Sequence, residues 1–189
     1  HERSRFVHAG FDAEPGTLMA ALDVRGVELM PELCAELAID LDNIGSLVVC
    51  TAEEDLPKLE GLLERGRKNG VEPLSIVRGD ELRALEPNLA DEVIAALWAP
   101  GASIVNPFQL NWALAENALM NGAEFFFNTE VVGISRVDGL WMISTTRGSF
   151  ATRTVVNAAG VYADVLHNMV SADKLEIIPR RGQYLVLDT

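Results

Sequence analysis

The sequence predicts an α/β fold, and three stretches carry that prediction. Thr154-Val155-Val156 is β-branched and apolar, as a strand buried on both faces must be, and the small residues Ala158, Ala159 and Gly160 end it where a helix can begin. Residues 106–156 read as helix, buried strand, antiparallel meander and second buried strand. Residues 45–98 read as short strands alternating with short helices, forming one mixed sheet with helices on a face.

Composition narrows the class. Of 189 residues, 49% are hydrophobic and 23% charged, the balance of a globular protein rather than a disordered one. No apolar run approaches the roughly 20 residues that span a bilayer, and no signal-peptide core follows the charged start, so a cytoplasmic protein is expected. Cys34 and Cys50 have neither metal-ligand spacing nor a disulfide framework, and buried reduced thiols are expected. The formal net charge of −13 argues against a nucleic-acid or anionic-membrane surface. An anionic substrate would need local arginines to hold it against that field.

In chain order, Phe6 to Gly10 is a short strand or a loop, Pro15-Gly16 a turn, and Thr17 an N-cap. Leu18, Leu22, Leu29, Leu33 and Leu37 put an apolar stripe on a helix reaching about Ala38, with a kink or break expected near Pro31. Gly45 to Cys50 is a strand. Thr51 with Glu54 makes a capping box for a helix through Leu56, Leu59, Leu62 and Leu63 that stops at Asn69-Gly70. Leu74 to Val77 and Ile94 to Trp98 are strands, and between them Asp80 caps a short helix that ends before Pro87.

Asn106-Pro107 opens the next helix, whose stripe is Leu110, Leu114, Ala118 and Leu119 and whose end is Asn121-Gly122. Glu124 to Asn128, with three consecutive phenylalanines, is a strand buried on both faces. Three strands joined by tight turns at Asp138-Gly139 and Arg147-Gly148 follow, the last running into Val155. Small side chains at 158–160 let a ligand approach the backbone, and a helix N-terminus beyond them offers N–H groups to its oxygens. The alternative is a corner packed tightly for its own sake.

This order, together with Val7-His8-Ala9-Gly10, Pro15-Gly16, Gly45 to Val49, Leu85-Glu86-Pro87, Thr129-Glu130-Val131, Val155 to Gly160 and Pro179 to Leu185, resembles the flavoprotein oxidoreductases of the D-amino-acid oxidase and glycerol-3-phosphate dehydrogenase superfamily. Within it the likeness is to the glycerol-3-phosphate dehydrogenase-like branch and to L-2-hydroxyglutarate oxidase. The resemblance implies a fragment of a two-domain flavoprotein. A partial FAD-binding domain of the glutathione-reductase type would take residues 1–40 and 106–170, and a mixed-sheet substrate domain residues 41–105 and 171–189. The superfamily's Gly-x-Gly-x-x-Gly turn does not occur in these residues and is expected upstream of His1.

The resemblance also implies roles. FAD is the cofactor, with the Val131 backbone at the adenine and Ala158, Ala159 and Gly160 along the phosphate and ribitol side. His8 lies in the loop facing the flavin ring, where imidazole can accept the proton that must leave an alcohol or amine as its carbon loses a hydride. The alternative is a packed loop residue with a hydrogen-bonded ring, and His167 is read as structural. Arg180 and Arg181 precede a strand, Tyr184 to Leu187, that lines the substrate cavity in relatives. One of the two, Arg181 before Arg180, contacts a small anionic hydroxy or amino substrate through its bidentate fork, unless both are simply solvated.

The implied partners are therefore that substrate and an electron acceptor, whether oxygen, a quinone or another protein. L-2-hydroxyglutarate oxidation is weakened as the activity because Met19-Ala20-Ala21 lacks lysines that relatives carry nearby. A non-catalytic assembly or binding module is the reading from another class. The fragment alone is expected to be inactive and to lack FAD, with apolar surface around Phe125, Phe127 and Val156 that favours self-association.

Overall fold

The computed structural model describes Phe6 to Gln183, and the chain forms two units, one ending at Ala123 and one beginning at Glu124. The first unit runs β1 (Phe6–Val7), α1 (Leu18–Glu36), β2 (Leu41–Asp42), β3 (Ser46–Cys50), α2 (Leu56–Lys68), β4 (Ser75–Arg78), α3 (Gly79–Leu85), β5 (Ala95–Ala99), β6 (Ser103–Val105) and α4 (Pro107–Met120). The second runs β7 (Val131–Val137), β8 (Leu140–Thr145), β9 (Gly148–Thr152) and α5 (Ala163–Val170). This is an α/β chain whose sheets are small. The sheet expected to be mixed is antiparallel throughout its described strands, in the order β3-β5-β4.

The core of the first unit sits around β5. Its residues alternate between two apolar layers, as the two-residue period of a strand requires. Ala95, Leu97 and Ala99 join Phe11, Leu59 and Leu74 on one face, while Ala96 joins Val77, Leu82 and Val93 on the other. A smaller cluster holds Cys34, Ile39 and Val105, with Leu110 and Ala113 of α4, Met30 of α1 and Leu37 just after it packed against it. Both cysteines are free and buried, and burial pushes the Cys34 thiol up.

Capping chemistry follows the sequence at four helix ends. Thr17 accepts the Ala20 N–H at 3.2 Å, and Asn106 accepts from Phe108 and Gln109. Beyond α2, Gly70 takes φ +82°, and the Val71 N–H donates to Gly66 O at 2.9 Å. Gly122 does the same after α4, with Ala123 N–H on Ala118 O at 2.9 Å.

Several local expectations need correction. α1 continues through Pro31 without a break, losing the one ladder bond a proline cannot donate while Met30 and Cys34 on either side of it pack in the cluster with Ile39 and Val105. Its leucine stripe is only partly inward: Leu18, Leu22 and Leu29 are exposed, Leu33 and Leu37 are half-buried, and the buried residues are Ala20 and Cys34. Thr51 and Glu54 form no capping box. A 3-10 turn, Glu53–Asp55, precedes α2 instead, and Pro57, which needs no N–H partner, occupies its first turn. Asp80 lies within α3 and caps nothing, because Arg78 holds the N-cap position.

On α4, Leu114 and Leu119 are exposed together with Phe108 and Trp112. Neither 124–128 nor 154–156 joins a ladder, since no described strand pairs with either. Their side chains stand in solvent, Phe127 at 73% and Val156 at 84% exposure. The exposed apolar surface expected at Phe125, Phe127 and Val156 is thus present.

The meander forms as expected in the order β7-β8-β9. Asp138 (φ +50°) and Gly139 (φ +81°) make its first two-residue turn, which needs left-handed backbone at both positions. β9 ends at Thr152 and does not run on into Val155. The strand expected at Tyr184 to Leu187 lies outside the described residues.

Candidate functional site

His8 follows the last residue of β1, which is held by antiparallel pairing of Phe6 with Ile104 and Val7 with Ser103. The imidazole is exposed, its ring 6.2 Å from that of Phe6 and tilted by 44°, and no hydrogen bond joins it to another described residue. The residues after it are buried: Ala9, Gly10, Phe11 and Ala13. Gly10 takes φ +84°, and a Cβ there would lie 3.2 Å from Val24 Cγ2, so a glycine meets both the backbone and the packing requirement.

The last turn of α2 holds this loop from the other side. Asn69 Nδ2 donates to Gly10 O at 3.3 Å and to Ala13 O at 2.8 Å, and Arg65 Nη1 donates to Asp12 O at 2.8 Å. Phe11 packs beside Gly66, where a Cβ would come within 2.8 Å of the Phe11 Cβ. Sequence reading assigned Asn69 only as a helix end and gave Arg65 no role. Bonds between residues more than fifty positions apart leave no local signature that could have revealed them.

In the second unit, Val131 opens β7 opposite Thr145, with a register shift between Val131 and Gly133. Among the described residues β7 is an edge strand of its sheet, so one side of its backbone has no ladder partner there. Ala158, Ala159 and Gly160 form the corner before a 3-10 turn, Gly160–Tyr162, that leads into α5. Asn157 braces it, accepting the Ala159 N–H at 3.3 Å and donating to Ala163 O at 2.7 Å. Gly160 takes φ +59°, and a Cβ there would meet nothing within 4 Å. Ala158 and Gly160 are exposed and Ala159 is half-buried.

A cavity of about 620 Å³ lies between residues 125–129 and 147–150, with Arg147 donating to Phe127 O at 3.2 Å. It was not anticipated from the sequence. His167 sits on α5 with Nε2 2.8 Å from Asp173 O, a structural contact as expected. Arg180 and Arg181 are exposed, lie in no helix or strand, and form no ion pair with another described residue. The second unit therefore contains Val131, the 158–160 corner and the arginine pair, and the first contains His8.

Residues 1–189 match the family described as DAO, FAD dependent oxidoreductase. The chain is 43% identical over 185 residues to glycerol 3-phosphate dehydrogenase of Caloramator mitchellensis, covering 98% of this chain and 38% of that protein. Over 183 residues it is 33% identical to L-2-hydroxyglutarate dehydrogenase of Indibacter alkaliphilus, with 96% and 45% covered. Dithionite-reduced L-alpha-glycerophosphate oxidase of Mycoplasma pneumoniae, with FAD bound, matches it with a TM-score of 0.83 at 30% identity, over 93% of this chain and 48% of that one. The chain spans less than half the length of each of these proteins. With every one of its residues inside the matched region, the chain belongs to the DAO family of FAD-dependent oxidoreductases.

Proposed function

We propose that the full-length protein containing this chain is an FAD-dependent dehydrogenase or oxidase of a small anionic hydroxy substrate, with glycerol 3-phosphate as the first candidate. The observation that carries this reading is the likeness to the Caloramator mitchellensis glycerol 3-phosphate dehydrogenase, which runs through almost the whole chain. FAD, when bound, supplies the acceptor for the substrate's hydride. His8 takes the hydroxyl proton on imidazole nitrogen, for which its exposed ring is available. Arg181, with Arg180 beside it, holds the anionic group. The backbone of Val131 meets the adenine, and the open corner at Ala158, Ala159 and Gly160 accepts the phosphate and ribitol side.

In that protein, residues 1–40 and 106–170 belong to the FAD-binding domain and 41–105 and 171–189 to the substrate domain. Packing of Leu110 and Ala113 near Met30 and Leu37 favours the first grouping. Electrons leave to oxygen, a quinone or a protein acceptor, and the reaction is placed in the cytoplasm. No helix among the described residues is long and apolar enough to cross a membrane.

The test is anaerobic. Glycerol 3-phosphate should bleach the flavin of the purified full-length protein faster than L-2-hydroxyglutarate does, and His8→Ala should slow turnover by about 10²–10⁴-fold with little effect on substrate affinity. Bleaching by L-2-hydroxyglutarate alone would select the second reading, which the 33% identical relative favours. A folded, colourless protein would favour a non-catalytic module.

A further inference from the structure

His8 is only as well placed as the loop that follows it. That loop has neither helix nor strand between Val7 and Leu18, yet Ala9, Gly10, Phe11 and Ala13 are all buried. Three of its carbonyls, at Gly10, Asp12 and Ala13, accept hydrogen bonds from just two side chains, Asn69 and Arg65, both at the end of α2. Arg65 also pairs with Glu14 at 3.5 Å. Phe11 enters the main core where Gly66, one turn before Gly70, leaves space for it.

α2 is itself anchored by Leu59, 3% exposed, against the β3-β5-β4 sheet. If the part-buried Gly10 and Ala13 carbonyls lost the Asn69 donor the loop would lose that seat, since an unpaired polar group away from water costs more than the bond returns, while the Asp12 carbonyl is tied down by Arg65 at the exposed edge. These bonds therefore transmit the rigidity of α2 and its sheet to the residues beside His8.

We propose that Asn69 and Arg65 are positioning residues, a two-point clamp on the loop at 9–14 that sets the reach of the His8 imidazole. This rests on the reading of His8 as proton acceptor, but the clamp has a signature of its own. Ala9 and Ala13 are buried methyl reporters inside the loop, and Ala96 and Ala99 are matching reporters in β5.

In the full-length, FAD-loaded protein, Asn69→Leu and, separately, Arg65→Met should lower the methyl order parameters of Ala9 and Ala13 and leave those of Ala96 and Ala99 unchanged. kcat should fall by about tenfold or more with KM nearly constant, because misplacement of a reacting group costs rate rather than binding. Arg65→Lys, which keeps a donor for Asp12 O, should recover part of the loss.

Unchanged order at Ala9 and Ala13 in both variants would overturn the clamp. Loosened methyls with wild-type kcat, in a protein that His8→Ala slows, would overturn its link to His8. If His8→Ala turns over at the wild-type rate, the proton-acceptor reading falls, and the methyl order alone decides whether the clamp exists. Should Asn69→Leu fail to fold, Arg65→Met at a half-exposed site carries the same readouts.

Discussion

Ala38 follows the last turn of α1 with φ +52°, a left-handed geometry that a Cβ disfavours. Nevertheless the turn closes well, with the Ile39 N–H on Cys34 O at 2.8 Å and the Ile39 side chain buried in the cluster with Cys34 and Val105. Burial of Ile39 holds Ala38 where glycine would sit without strain. Ala38→Gly should therefore stabilise the chain by about 0.5–1 kcal/mol, seen as a higher urea midpoint at constant slope. A lower midpoint would mean that the methyl group has a packing role.

Arg181 presents the opposite case, a side chain with no partner among the described residues and a proposed one in the substrate. In the full-length enzyme Arg181→Leu should weaken substrate binding by roughly 1.5–3 kcal/mol, the value of a charge-assisted contact, with folding stability unchanged. Unaltered substrate affinity in a titration of the reduced or inhibited enzyme would remove Arg181 from the site.

Among the elements, β5 shows why small residues stand at the centre of a sheet. Ala95, Ala96, Leu97 and Ala99 are fully buried, because α2 covers one face and α3 the other while β3 and β4 take both edges. Leu97 is the one large side chain among these four buried positions. Leu97→Ala should cost about 2–5 kcal/mol, and a calorimetric loss much below that range would mean that the layer collapses around the gap.

The same reasoning explains why 124–128 and 154–156 do not become strands here. Phenylalanine and valine runs suit a strand covered on both faces, but such a strand needs ladder partners, and none of the described strands supplies one. Propensity alone does not make a sheet.

For the whole molecule, the proposed division of the FAD site between these residues and the rest of a longer protein has a direct check. The 189-residue chain titrated with FAD should bind weakly, because only the β7 edge and the 158–160 corner would contribute. Tight stoichiometric quenching of flavin fluorescence would refute this. Exposed Phe127, Val156, Trp112 and Met120 further predict that the isolated chain self-associates, so its sedimentation coefficient should rise with concentration. A concentration-independent monomer would contradict that prediction.

The sequence by itself determined the local structure wherever a short stretch holds all the necessary chemistry. Thr17 and Asn106 cap, Gly70 and Gly122 terminate, Asp138-Gly139 turns, and β7, β8 and β9 follow one another through two-residue loops. The family was legible too, in motifs spread along the chain, and with it the use of FAD.

Tertiary structure alone decided the rest. It set which face of α1 turns inward, carried that helix through Pro31, left the phenylalanine run outside the sheets of the described residues, and brought Asn69 and Arg65 to the loop after His8. Each of those outcomes depends on contacts between residues far apart in the chain. Side-chain burial and hydrogen bonding at such distances are properties of the packed arrangement, and no local window of sequence contains them.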